Sequence, residues 1–146
     1  MSVAGNKETL RRWFTETVRG GTDAQTFRAG AERTFAPHFV DHDGPNPASS
    51  YEALIRAVPG LLAALPDARL TVEQLIGEGD LVAVRLRGEG THTGELPGKP
   101  PTGKRIAWTE NEIFRFEDGR IAESWGEGTL DEALASIGLG FRAAPH

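Results

Sequence analysis

The sequence predicts an α+β domain, with early helices lying in the concave face of a curved, mostly antiparallel sheet. Three observations carry this prediction. Apolar residues recur at helical spacing as far as Leu65 and alternate from Ala68 onwards. Near the end, the ribbon KRIAWTENEIFRFEDGRIAESWGE folds back at Glu117-Asp118-Gly119-Arg120. Asp-Gly between two alternating runs is the strongest short-range hairpin signal a sequence carries.

Asn6 or Thr9 caps a first helix running to about Val18, with Leu10, Trp13 and Phe14 on its apolar side and Gly20-Gly21 as its stop. Thr22 or Asp23 starts a second helix through Ala36, which carries Phe27, Ala31 and Phe35 and ends at Pro37. His38 to Asp43 reads as a short extended piece entering the turn-rich loop Gly44-Pro45-Asn46-Pro47. Ser49 or Ser50 caps a third helix, Tyr51 to Leu65, which Pro59 either kinks or divides. Leu70 to Ile76 and Leu81 to about Thr91 are strands joined by Gly77-Glu78-Gly79-Asp80. The second of them has Val82, Val84 and Leu86 on one face and Leu81, Ala83, Arg85 and Arg87 on the other. The segment Thr93 to Gly103, rich in proline and glycine, is an excursion or flap. After the hairpin, Thr129 or Asp131 begins a short last helix to Ile137, and a loosely held tail follows from about residue 139.

A chain of 146 residues with 38% hydrophobic and 25% charged residues is that of one ordinary globular domain, spanning 1–146. It has no cysteine, which removes disulfides and thiolate metal sites. A net charge of -5 argues against general attraction to nucleic acid or an anionic membrane. There is no run long enough to span a bilayer, and MSVAGNKETLRRWF lacks a signal peptide's apolar segment, so the expected location is cytoplasmic. The four histidines, at positions 38, 42, 92 and 146, lack the helical presentation a metal site would need, and no metal is expected. GEGD joins two strands rather than a strand and a helix, so it is no phosphate loop, and Ser49-Ser50 is no nucleophile elbow.

Chemistry is expected on the hairpin. Side chains alternate along a strand, so Trp108, Glu110, Glu112, Phe114 and Phe116 share a face. A two-residue turn at Asp118-Gly119 puts Phe116 opposite Ile121, Phe114 opposite Glu123, Glu112 opposite Trp125 and Glu110 opposite Glu127. Glu112, flanked by indoles, would be desolvated, with its pKa raised into the range useful for proton transfer. Its alternative is a solvated or paired surface carboxylate. Glu110 and Glu127 would repel unless Arg85 or Arg87 sits between them. Glu123 is expected to be structural, since Arg115 points from the other face. His42, between an apolar pair and a flexible loop, is either a proton carrier at a pocket mouth or a histidine bonded to backbone at a strand end. His92 is expected mainly as a structural hydrogen bond at the start of the flap, with pocket lining second. Phe39 and the helix aromatics are core, and pocket wall where the core has a void.

Several runs in order resemble the SnoaL-like polyketide cyclase family: Gly77-Glu78-Gly79-Asp80, Gly90-Thr91-His92-Thr93-Gly94-Glu95, Pro100-Pro101-Thr102-Gly103-Lys104 and Phe114 through Trp125, with Leu65-Pro66-Asp67 and Phe39-Val40-Asp41-His42 before them. The resemblance implies a cone-shaped α+β barrel of the nuclear-transport-factor-2-like kind, usually dimeric, around a deep apolar pocket. It implies chemistry without cofactor or metal: an aldol ring closure in the founding members, with isomerases, epoxide hydrolases, hydroxylases and proteins without demonstrated chemistry among the relatives. The aldol cyclases carry an acid/base aspartate four positions after the Trp of the E-x-W motif, and here that position is Thr129.

The expected activity is therefore cofactor-independent cyclisation or isomerisation of an apolar, oxygenated substrate. Glu112 is its general acid or base, and His42 is Glu112's partner or a donor to a carbonyl oxygen. Trp108, Glu110, Trp125, Glu127, Arg85, His92, Phe39 and Thr129 are expected around the substrate. Two alternatives stand beside this: a ligand-binding protein without chemistry, favoured by Thr129, and epoxide hydrolysis by the hairpin carboxylates with Arg85.

Overall fold

A computed structural model describes residues 2–44, 47–96 and 98–139. Helix α1 is Val3–Arg12, capped by the Ser2 hydroxyl accepting from the Gly5 amide, and it runs on through a wider π-type turn, Trp13–Thr17. The start therefore lies earlier than either expected cap. Helix α2, Ala24–Thr34, is capped by Asp23, whose Oδ1 accepts from the Thr26 amide at 2.7 Å. Strand β1, Phe35–Asp41, contains Pro37, which this position tolerates because β1 is an edge strand. Helix α3, Ser50–Ala64, passes through Pro59 as one helix.

The remaining strands are β2, Arg69–Glu78; β3, Leu81–Thr91; β4, Arg105–Glu117; and β5, Arg120–Gly128. Helix α4, Leu130–Ala135, follows β5. The sheet order is β1-β5-β4-β3-β2, antiparallel throughout except that β1 runs parallel to β5. It is a mixed, open α+β sheet. The expected flap is irregular apart from an isolated bridge between Leu96 and Lys99. Of the expected tail, Leu139 is buried against the core, and residues 140–146 lie outside the described residues, as do Pro45 and Asn46 of the loop after β1.

The core lies between the helices and the concave face. Leu10, Phe27, Leu65 and Ile121 are among its fully buried side chains. Trp13 packs edge-on to Phe35 at 4.8 Å, and Phe35 packs the same way against Phe39 at 4.7 Å, an arrangement that opposes the positive rim of one ring to the negative face of the next. Val82, Val84 and Leu86 point inward as the alternation predicts.

The hairpin turn also forms as predicted, with Asp118 at φ 50° and Gly119 at φ 82°, the positive pair a type I′ turn demands. Phe116 faces Ile121, as expected. The register then shifts: Arg115 pairs with Glu123, leaving Ala122 as an extra residue on β5. Ile121 and Ala122 are both buried, which strict alternation forbids and a β-bulge allows. Beyond the bulge every β5 side chain is on the opposite face from the one expected. Glu112 faces Gly126 and Glu110 faces Gly128.

Candidate functional site

A cavity of about 280 Å³ lies between the sheet and the helices. Trp13, Phe14, Phe35, Phe39, Trp108 and Phe114 form its aromatic wall, and α3 contributes Leu54, Val58, Leu61 and Leu62. Its acidic groups are Asp41, Glu110 and Glu112, and none of the described residues lining it is Lys, Arg or His. Asp41, Glu110, Glu112 and Ser124 also line an adjoining mouth of about 420 Å³, whose rim adds Asp43, Glu127 and Asp131.

Glycines make this arrangement possible. A Cβ on Gly126 would come within 2.9 Å of Glu112 Cγ, and one on Gly128 within 2.0 Å of Glu110 Oε2. Trp108 lies across Gly88, where a Cβ would meet its ring at 2.2 Å. Each of these three side chains thus fills the space a cross-strand neighbour would otherwise occupy.

Glu112 is half-buried on β4 and lines both the cavity and its mouth. Burial first, then the charges of Glu110 and Asp41, push its pKa up to about 8. At neutral pH this carboxyl is mostly protonated. Glu110 accepts from the Leu130 amide at 3.3 Å, which ties it to the start of α4. Asp41 is held through its backbone: its amide donates to Ser50 Oγ at 2.8 Å, and that hydroxyl donates to the Pro47 carbonyl at 2.8 Å.

The structure brings Glu112, Glu110, Trp108 and Phe39 together in the cavity and corrects several other expectations. His42 does not face Glu112. It lies on the outer surface, with Nε2 3.0 Å from Glu123 Oε1 and its ring stacked on Trp125 at 4.9 Å. Trp125 is 37% exposed there, so it is not the second indole of the cavity wall. Glu127 pairs with Asn111 on the outer face and touches the cavity only at the rim of its mouth. Arg85 does not separate Glu110 from Glu127. It too points outward, donating to Asn111 at 3.2 Å and pairing with Glu73 at 3.3 Å. Glu123, expected to lack Arg115, is bonded to it across the bulged register, and Arg115 first, then His42, hold its carboxyl below the usual range.

His92 is buried but lines no part of the cavity. Its Nδ1 accepts from the Thr102 amide at 3.3 Å, which leaves the proton on Nε2 and pins the end of the flap. Thr129 is exposed, and its Oγ1 accepts from the Thr109 amide at 3.0 Å, so it clasps β4 where the aldol cyclases have a carboxylate. Asp41 was missed as a site residue. Alternation could have found it, since an inward Phe39 puts Asp41 inward and His42 outward. No three His, Asp or Glu among the described residues are grouped to hold a metal ion. No described helix is long and apolar enough to cross a membrane.

Fold and site together define a small-molecule protein of the open α+β kind, with an apolar cavity and a protonated acid in its lining. The chain belongs to the SnoaL-like polyketide cyclase family, whose model matches residues 9–132. It is similar to AclR from Streptomyces galilaeus, described as a candidate hydroxylase, at 30% identity over 94% of this chain and 83% of that one, with a TM-score of 0.70. A SnoaL-like polyketide cyclase candidate from Jannaschia sp. CCS1 is 25% identical over 97% and 94% of the two chains, with a TM-score of 0.68. IdmH from Streptomyces antibioticus, another cyclase candidate, is 25% identical over 92% and 99%, also at 0.68. Among curated protein sequences, none matches the chain.

Proposed function

We propose that this protein isomerises or cyclises an apolar, oxygenated small molecule by proton transfer, without a cofactor. The single observation behind this is Glu112, a carboxyl held protonated near neutral pH inside an aromatic cavity. A carboxylic acid kept neutral by an apolar site can donate to a carbonyl oxygen as negative charge develops on it. Asp41 faces the same space and is charged enough to oppose Glu112's ionisation, so it is the base of the pair. Glu112 gives its proton to the carbonyl oxygen while Asp41 takes one from the adjacent carbon, leaving a neutral enol. Return of a proton at another carbon gives isomerisation, and attack of the enol carbon on a second carbonyl closes a ring. Trp108 and Phe39 hold the hydrocarbon and keep water out.

The test is deuterium exchange next to the carbonyl of a bicyclic ketone such as tetralone, in heavy water, followed by mass spectrometry. Exchange catalysed by the protein supports proton transfer. Its absence with tetralone and with larger polycyclic ketones points to a binder without chemistry. Asp41→Asn should slow exchange by at least about tenfold, as expected for a general base. His42→Ala should change it by less than about threefold, because His42 faces away from the cavity. Equal losses from both would return His42 to the mechanism.

A second copy of the chain is the proposed partner. Ile76, Ala83, Ile113 and Trp125 form one cross-strand row on the outer face, and Ile76 and Ile113 are 66% and 45% exposed. Both signs of charge flank the row, Arg85 and Glu127 on one side, Arg115 and Glu123 on the other, which suits a self-complementary twofold contact. Ile113→Arg should convert a dimer to monomer in sedimentation equilibrium. A wild-type monomer at micromolar concentration would end the proposal.

A further inference from the structure

One polar side chain of the cavity has no part in the proton transfer described above. Ser124 lines both the cavity and its mouth, is only 7% exposed, and its hydroxyl makes no hydrogen bond among the described residues. Its backbone, by contrast, is fixed on both sides. Ser124 pairs with Asp41 of β1 and with Phe114 of β4, and its carbonyl accepts from the His42 amide at 2.9 Å. Strict alternation along β5 would turn Ser124 outward, and the extra residue at Ala122 turns it in. A buried hydroxyl that faces a void without a partner is satisfied only when a polar atom enters that void.

The interval between Ser124 and Glu112 suits one oxygen atom. The Glu112 carboxyl lies over Gly126, where a Cβ would stand 3.3 Å from Oε1. Ser124 and Gly126 are two residues apart in a regular stretch of β5, so their side-chain positions share a face about 7 Å apart. Two hydrogen bonds to a shared oxygen span roughly 5.5 Å, which that interval accommodates. A carbonyl oxygen has two lone pairs and can accept both. Resting on the proposed reaction, we infer that Ser124 is the second donor to the reacting carbonyl, its hydroxyl and the Glu112 acid holding the oxygen from two sides. Asp41, beside Ser124 on β1, takes the proton from the adjacent carbon. Glu112 gives its proton to the oxygen. Ser124 keeps its own and stabilises the oxygen as electrons reach it from the breaking C–H bond. The site thereby prefers a ketone to a hydrocarbon of the same shape.

The full-length protein and its Ser124 variants are titrated with tetralone and with tetralin, its hydrocarbon counterpart, by calorimetry and tryptophan fluorescence, and assayed for deuterium exchange into the ketone. Ser124→Ala should bind tetralone about five- to tenfold more weakly, as for one lost hydrogen bond, and tetralin within about twofold of wild type. Its kcat for exchange should fall at least about tenfold, because a donor matters more as charge develops on the oxygen. The pH at which exchange declines on the acid side should stay where wild type has it, since Ser124 acts on the substrate and not through Asp41. Ser124→Thr, which keeps the hydroxyl, should return binding and exchange to within about threefold of wild type. Ser124→Cys, close in size with a weak donor, should behave as Ser124→Ala and covers the case in which the alanine variant does not fold. Unchanged tetralone binding in Ser124→Ala, equal losses for tetralone and tetralin, a displaced acid limb, or a wild type that binds no tetralone overturns the inference. A wild type that binds tetralone but exchanges no deuterium defeats the proton-transfer reading instead, and the comparison of the two ligands still decides whether Ser124 holds the carbonyl.

Discussion

Glu112→Gln is expected to lower turnover by about 10²–10⁴-fold, the range for loss of a general acid, while making the fold more stable above neutral pH. The two effects have one cause. In the folded chain Glu112 titrates near 8, against 4.5 for an ordinary glutamate. Between those values the folded state holds a proton that the unfolded state has lost. Its contribution to stability is therefore fully present below about pH 4.5 and falls as pH rises through about 8. Above that, an ionised carboxylate is trapped beside Asp41 and Glu110, at a cost on the order of a few kcal/mol. Glutamine keeps the shape and cannot ionise. Thermal melts of both proteins across this range should coincide at low pH and diverge as pH rises, with the variant higher. Parallel melting curves would mean that Glu112 is ordinarily solvated, and the proposed acid would be lost with them.

Gly128→Ala and Gly88→Ala should separate folding from site shape. A Cβ at 128 would stand 2.3 Å from the Thr109 carbonyl oxygen as well as against Glu110, and that carbonyl already accepts from the Thr129 amide. Backbone must move, so a loss of about 1–3 kcal/mol is expected, with a melting temperature several degrees lower. At 88 the three nearest atoms all belong to the Trp108 ring, which has the void beside it. The ring can shift into the cavity, so Gly88→Ala should melt within a degree or two of wild type but bind naphthylmethanol at least about tenfold more weakly. Calorimetry and thermal melts on the same samples check both. A stable Gly128→Ala variant would show that the β4–β5 ladder yields more easily than its contacts imply.

Much of this could be read from the chain itself. Helical spacing before Leu65 and alternation after Ala68 determined the α+β order, and Asp118-Gly119 determined the turn and its conformation. Placing Glu112 inward needed only the alternation of Trp108, Phe114 and Phe116 along one strand. What only the tertiary structure decided was everything beyond the bulge. A period-two pattern has no means of registering one inserted residue, and Ala122 reverses Glu123, Trp125 and Glu127 without changing the local sequence signal. The same limit hid β1's parallel pairing with β5, since the pairing joins residues far apart in the chain. That pairing brings Asp41 beside Ser124 and so into the same site as Glu112. The residue types of the site were legible because local chemistry chooses them. Their meeting depended on long-range register, which no short window contains.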